Sequence, residues 1–172
     1  KYVPLYGTLL ESDNFPSAPG AAFNQDPLRR EPWEIHVNAR GDRFVREDHP
    51  SHEHREHALA KQPGHRLWVV YDSAIARQAP PFLGRMKPEQ IREAFTSNHP
   101  MFATATDLTV MAVKTGMDPR RLHRSVQQFN SAIETRSIDP FGRGHRPLAL
   151  REAPFFAVRM TGWTVISFAG IT

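Results

Sequence analysis

Trp33-Glu34-Ile35-His36-Val37-Asn38-Ala39-Arg40-Gly41-Asp42-Arg43-Phe44-Val45-Arg46-Glu47-Asp48 decides how this chain is read. Glu34 to Asn38 alternates in the period-2 manner of a strand, with Ile35 and Val37 on one face. Ala39-Arg40-Gly41-Asp42 is a turn, and Gly41 takes a positive φ without steric cost. Arg43-Phe44-Val45 then returns, so the local expectation is a β-hairpin followed by a charged stretch.

Working outward, Lys1 to Arg30 is rich in Pro, Gly, Ser and Asn and reads mostly as loop, with short extended pieces at 2–6 and 8–10. Residues 1–32 are an irregular lead-in. Ser51 caps a helix over Glu53 to Lys61, stopped by Pro63-Gly64. Leu67-Trp68-Val69-Val70-Tyr71 is a continuous apolar run of strand length, the pattern of a strand buried on both faces. A short helix is expected from Ser73 to Gln78, and another over Lys87 to Phe95 with Pro88 in its first turn.

Thr106 is the expected cap of a helix from Asp107 to Lys114, ended by Gly116. Asp118-Pro119 opens a helix to about residue 135, because Asp is an N-cap and Pro fits the first helical position. Its apolar stripe is Leu122, Val126, Phe129 and Ile133. Asp139 to Ala149 is a loop, and 155–159 and 164–168 read as closing strands. The sum is an α+β fold, a small sheet with helices packed against it, in one domain spanning 1–172.

Composition narrows the classes. The 172 residues suffice for one sizeable core. The net charge of +4 comes from intermingled charges rather than a basic block, and no nucleic-acid motif is present, so no nucleic-acid partner is expected. The absence of cysteine excludes disulfides, thiolate metal sites and a cysteine nucleophile, and fits a reducing compartment. No apolar run reaches the ~20 residues of a membrane span, and there is no signal peptide, so a cytoplasmic protein is expected. The ends, Lys1 and Phe-Ala-Gly-Ile-Thr, read as cut from a longer protein.

The order of landmarks points to a family. The pattern Val-Asn-x-x-Gly-x-Arg-Phe-Val-x-Glu resembles the start of the capping domain in the fumarate reductase and succinate dehydrogenase flavoprotein superfamily. Further landmarks follow in the family's order: Leu67 to Asp72, Ala105-Thr106-Asp107-Leu108, Gly116-Met117-Asp118-Pro119, Asp139-Pro140-Phe141-Gly142-Arg143-Gly144, Ala153-Pro154-Phe155-Phe156-Ala157 and Ser167-Phe168-Ala169-Gly170-Ile171. The overall likeness is to tricarballylate-dehydrogenase-like and ketosteroid-dehydrogenase-like members.

The resemblance implies a substrate-covering domain of an FAD-dependent oxidoreductase acting on CH–CH groups. The FAD-binding domain of the same polypeptide would be its partner, and a small molecule, with anions among the candidate classes, its substrate. The sequence has no Gly-x-Gly-x-x-Gly after a strand, so the chain alone is expected neither to bind FAD tightly nor to turn over substrate. The family's proton-delivering Arg position holds Ser51 here, and its His-His-Thr stretch is matched by Val165-Ile166-Ser167. The substrate and the catalytic groups therefore stay unnamed.

Candidate site residues follow from this reading. Arg55, on the helix whose family counterpart faces the active site, is a candidate for binding a carboxylate. Arg143 and His145 lie on a Gly-rich loop that lets backbone approach a ligand. Asp139 is a turn-former. Ser167 would face substrate, and Ala169 and Gly170 would approach the flavin ring. His49, His52, His54 and His57 crowd together but miss the His-Glu-x-x-His spacing, so no metal is expected. The alternatives are a free-standing small-anion-binding module using the His/Arg face of helix 51–61, or a structural or interaction domain.

Overall fold

The computed structural model describes residues 5–9, 30–81, 83, 86–97 and 99–163. Five antiparallel strands form one sheet: β1 (Leu5–Leu9), β2 (Ile35–Asn38), β3 (Arg66–Asp72), β4 (Phe102–Ala105) and β5 (Phe155–Trp163). Five helices accompany it: α1 (His52–Ala60), α2 (Ser73–Gln78), α3 (Pro88–Thr96), α4 (Leu108–Thr115) and α5 (Pro119–Glu134). This is the expected α+β arrangement.

The long strand β5 organises the sheet. On one side it pairs with β3 from Phe155 to Thr161, and β3 in turn pairs with β2. On the other side β4 takes the first half of β5, with Phe102 opposite Val158, and β1 takes the second half. Leu5 lies opposite Trp163, so the first and last described strands run side by side. β3 is central, and Leu67 to Asp72 is buried on both faces, as its continuous apolar run predicts.

The helices begin and end where their residues dictate. Asp118 accepts from Arg120 N and Arg121 N at the start of α5, and Pro119 occupies the first turn. Leu122, Val126 and Phe129 are buried along α5, and Ile133 is half-buried at its end. Asp107, not Thr106, caps α4, because its carboxylate reaches Val110 N at 2.9 Å. Gly116 ends α4 in the left-handed conformation. Ser51 caps α1 through His54 N.

The structure corrects the hairpin. The turn forms, with Asn38 accepting from Gly41 N and Asp42 returning a bond to Asn38 N. The returning segment makes only a single bridge, Val37 to Arg43. β2 pairs instead with β3, which satisfies its backbone over four residues. Gly41, at φ 94°, lies so close to α5 that an added Cβ would stand 3.0 Å from Leu122 N. β4 is an element the sequence reading lacked, and β5 is one longer strand where 155–159 was expected. The expected strand at 164–168 lies outside the described residues.

Candidate functional site

Strand alternation places His36, Asn38, Val69, Tyr71 and Phe156 on one face of the sheet, from the registers His36–Val69, Asn38–Leu67 and Tyr71–Phe156. Just past the end of α1, Gln62 Oε1 accepts from Asn38 Nδ2 at 3.0 Å on this face. A lattice of buried charges lies beside it.

Arg43 is the centre of the lattice. Its Nε and Nη2 grip the two oxygens of Glu47 at 2.9 and 2.8 Å, and its Nη1 donates to Asp139 at 2.8 Å. Phe129 and Phe141 lie 5.3 and 5.0 Å from the guanidinium carbon. These are cation–π contacts that replace lost hydration. Glu47 also accepts from His36 N, and its second oxygen is 3.5 Å from Arg143 Nη1. Burial by itself raises the Glu47 carboxyl, but the charges of Arg43 and Arg143 outweigh burial and hold it at about 2. Glu47 is therefore a fixed anion at neutral pH rather than a proton donor.

Arg143 is wholly buried and is held by backbone. Its Nε donates to His145 O and its Nη1 to Glu34 O, both at 2.6 Å, and its Nη2 donates to Pro32 O. It ties the Gly-rich loop to the entry of β2. Asp139 shapes the same loop by accepting from Phe141 N and Arg143 N, which makes it the turn-former expected and an ion-pair partner besides. Asp48 accepts from Gly144 N and His145 N and completes the anchorage. A second buried pair, Arg30 and Glu34, forms a two-pronged bridge at 2.9 and 3.0 Å.

The predicted residues separate into three places. Arg55 points inward from α1, buried, with its Nη2 3.0 Å from His52 Nδ1. It converges with Arg143 on His36, whose imidazole is pushed down to about 4, first by burial and then by these two cations against the carboxylates of Glu47 and Glu34. His36 is therefore neutral in the fold. His145 keeps an exposed edge, pairs with Glu31 at 2.9 Å and faces the Trp33 ring at 5.9 Å. Ser167, Ala169 and Gly170 lie outside the described residues.

The His/Arg face read for helix 51–61 is divided: Arg55 is inside while His52, His54 and His57 are exposed. Among the described residues, no three His, Asp or Glu side chains stand together as a metal-ligand set.

Sequence reasoning missed the lattice itself. A usable signal existed: Arg30…Glu34 and Arg43…Glu47 both have four-residue spacing, yet neither pair lies on a helix.

Comparison with known proteins places this architecture. No family model matches the chain. A probable fumarate reductase of Shewanella frigidimarina is 25% identical over 126 residues, covering 73% of this chain and 19% of that protein. The chain thus spans about a fifth of the length of the curated relative it matches. Its fold matches the 3-ketosteroid delta1-dehydrogenase of Sterolibacterium denitrificans with a TM-score of 0.68 and 17% identity, over 92% of this chain and 31% of that one. It also matches the solution structure of a fumarate reductase flavoprotein subunit from Lactobacillus plantarum, with a TM-score of 0.62 and 20% identity, over 84% of this chain and 94% of that one.

The sequence likeness is to a fumarate reductase, and the fold is one shared with a fumarate reductase flavoprotein subunit and a 3-ketosteroid dehydrogenase. The resemblance carried by the motifs stands.

Proposed function

We propose that this chain is the substrate-covering domain of an FAD-dependent oxidoreductase acting on CH–CH groups, working with an FAD-binding domain of the same polypeptide. The pairing of Leu5 with Trp163 is the observation that carries the reading. The first and last described strands, β1 and β5, run side by side, and neighbouring attachment points of this kind suit a domain seated on a host. The curated relative, of which the chain spans a fifth, supports the same reading.

The buried arginines of the charge lattice are not available to FAD. Arg30, Arg43 and Arg143 are buried among carboxylates and backbone carbonyls, so none is presented to a pyrophosphate. The sequence offers no glycine-rich cradle either. What this chain contributes is a rigid cover that excludes water and helps wall the substrate. Of the predicted substrate-side residues, His145 is best placed to meet a ligand, while Arg55 and Arg143 act as buried supports. Ser167, with Ala169 and Gly170 on the flavin side, belongs to the same proposal.

Visible absorption of two purified proteins tests this. The intact polypeptide containing the domain is expected to carry the flavin band. The 172-residue chain, dialysed after mixing with FAD, is expected to be colourless. An intact polypeptide devoid of flavin overturns the proposal.

A further inference from the structure

The sheet face that carries Tyr71 and Phe156 is left open where α2 and α3 cross it. A cavity of ≈470 Å³ lies there, walled by Ile75, Leu83, Ile91 and Phe95 as well as the two strand aromatics. The Tyr71 and Phe156 rings stack at 5.2 Å and 19°, and Phe95 meets Phe156 edge-on at 5.0 Å. Together the three rings form an aromatic corner against which a flat apolar body packs well.

One end of the cavity is closed by the Arg30–Glu34 bridge. Arg30 Nε also donates to Pro80 O at 2.8 Å, and Glu34 Oε2 accepts from Trp33 N at 3.1 Å. Both side chains are almost without exposure, 4% and 1%. This end is therefore polar but carries no net charge. At the rim, the exposed Arg92 lies 3.3 Å from the equally exposed Glu89, so among the described lining residues each cation has a carboxylate beside it.

Size and lining match small-molecule sites, which run from roughly 300 to 1,000 Å³ and are mostly apolar with a few fixed polar groups. A carboxylate placed at the Arg30–Glu34 end would meet a cation already neutralised by Glu34 and would give up hydration for little return.

We infer that this cavity is a binding site for a neutral, largely apolar, ring-bearing small molecule, and that it excludes carboxylates. The site is built from this chain's own residues, and the inference does not depend on a flavin.

Nile red, an uncharged ring-bearing dye, serves as the probe in a fluorescence titration of the 172-residue chain. Saturable one-site binding with blue-shifted emission is expected, undisturbed by excess succinate. Ile91→Trp fills the cavity from α3 and is expected to weaken binding by about tenfold or more, with the far-ultraviolet circular dichroism unchanged. If that variant fails to fold, Ala76→Phe at an exposed position of α2 blocks the mouth without entering the core and is read in its place. Unsaturable binding, binding unaltered in a folded variant, or displacement by succinate overturns the inference.

Discussion

Arg143 meets three backbone carbonyls with Nε, Nη1 and Nη2, and Nη1 also faces Glu47, all out of contact with water. Removing it leaves those carbonyls without their donors and Glu47 with one cation fewer. Arg143→Ala is expected to destabilise the chain by about 3–5 kcal/mol. Arg143→Lys should recover little, since a single ammonium cannot reproduce the planar fork. Urea denaturation of both variants checks this. A loss of under about 1 kcal/mol for the alanine variant would remove the lattice from any account of stability.

The same cluster sets the response to acid. His36 has a folded pKa of about 4 against an ordinary 6.5, so below 6.5 the unfolded chain takes up a proton that the folded chain refuses. Stability falls as pH drops from 6.5 to about 4, by on the order of 3 kcal/mol at the bottom of that window. Glu47, lowered from 4.5 to about 2, extends the loss below pH 4.5. His36→Leu should flatten the upper part of the profile only. Denaturation midpoints measured across the range would show this, and an unaltered slope between pH 6.5 and 4.5 would contradict it. Beyond the four-residue spacing of Arg43 and Glu47, the cluster was not legible in the sequence, because Arg43 finds Asp139 across 96 positions and burial turns ordinary surface letters into a coupled group.

Among the elements, what was legible was whatever carries its own boundary signals. α5 has a capping Asp, a Pro in its first turn and a single apolar stripe, and it forms where those residues put it. β3 is an unbroken apolar run and becomes the central strand. β4 escaped notice because Phe-Ala-Thr-Ala is short and only weakly apolar, and half of β5 defines it. The expected return strand at 43–45 failed for a related reason: β3 offers β2 a full ladder, leaving Arg43 free to turn its side chain into the charge lattice. Gly41 sits between these elements at φ 94° and against the first turn of α5. Gly41→Ala combines a strained backbone with a contact at 3.0 Å to Leu122 N. It is expected to lower stability by more than about 1 kcal/mol, read as a shift in the thermal midpoint. A neutral result would mean that the turn relaxes away from α5.

At the scale of the whole molecule, the sheet is closed by a division of labour along β5. β4 covers its first half and β1 its second. Deleting residues 1–9 would strip the partner from Met160 to Trp163 and create an open edge, a template for pairing between copies. A fall of at least about 5 °C in Tm, with concentration-dependent association in size-exclusion chromatography, is the expected outcome. A monomer of unchanged Tm would show that β1 adds nothing.

The pairing of Leu5 with Trp163 also has an engineering meaning. Two neighbouring strands act as a plug with both pins on one side. Such a unit can be seated in an exposed loop of an unrelated carrier without stretching it, or have its pins bridged by a short peptide while the chain is reopened at another surface turn.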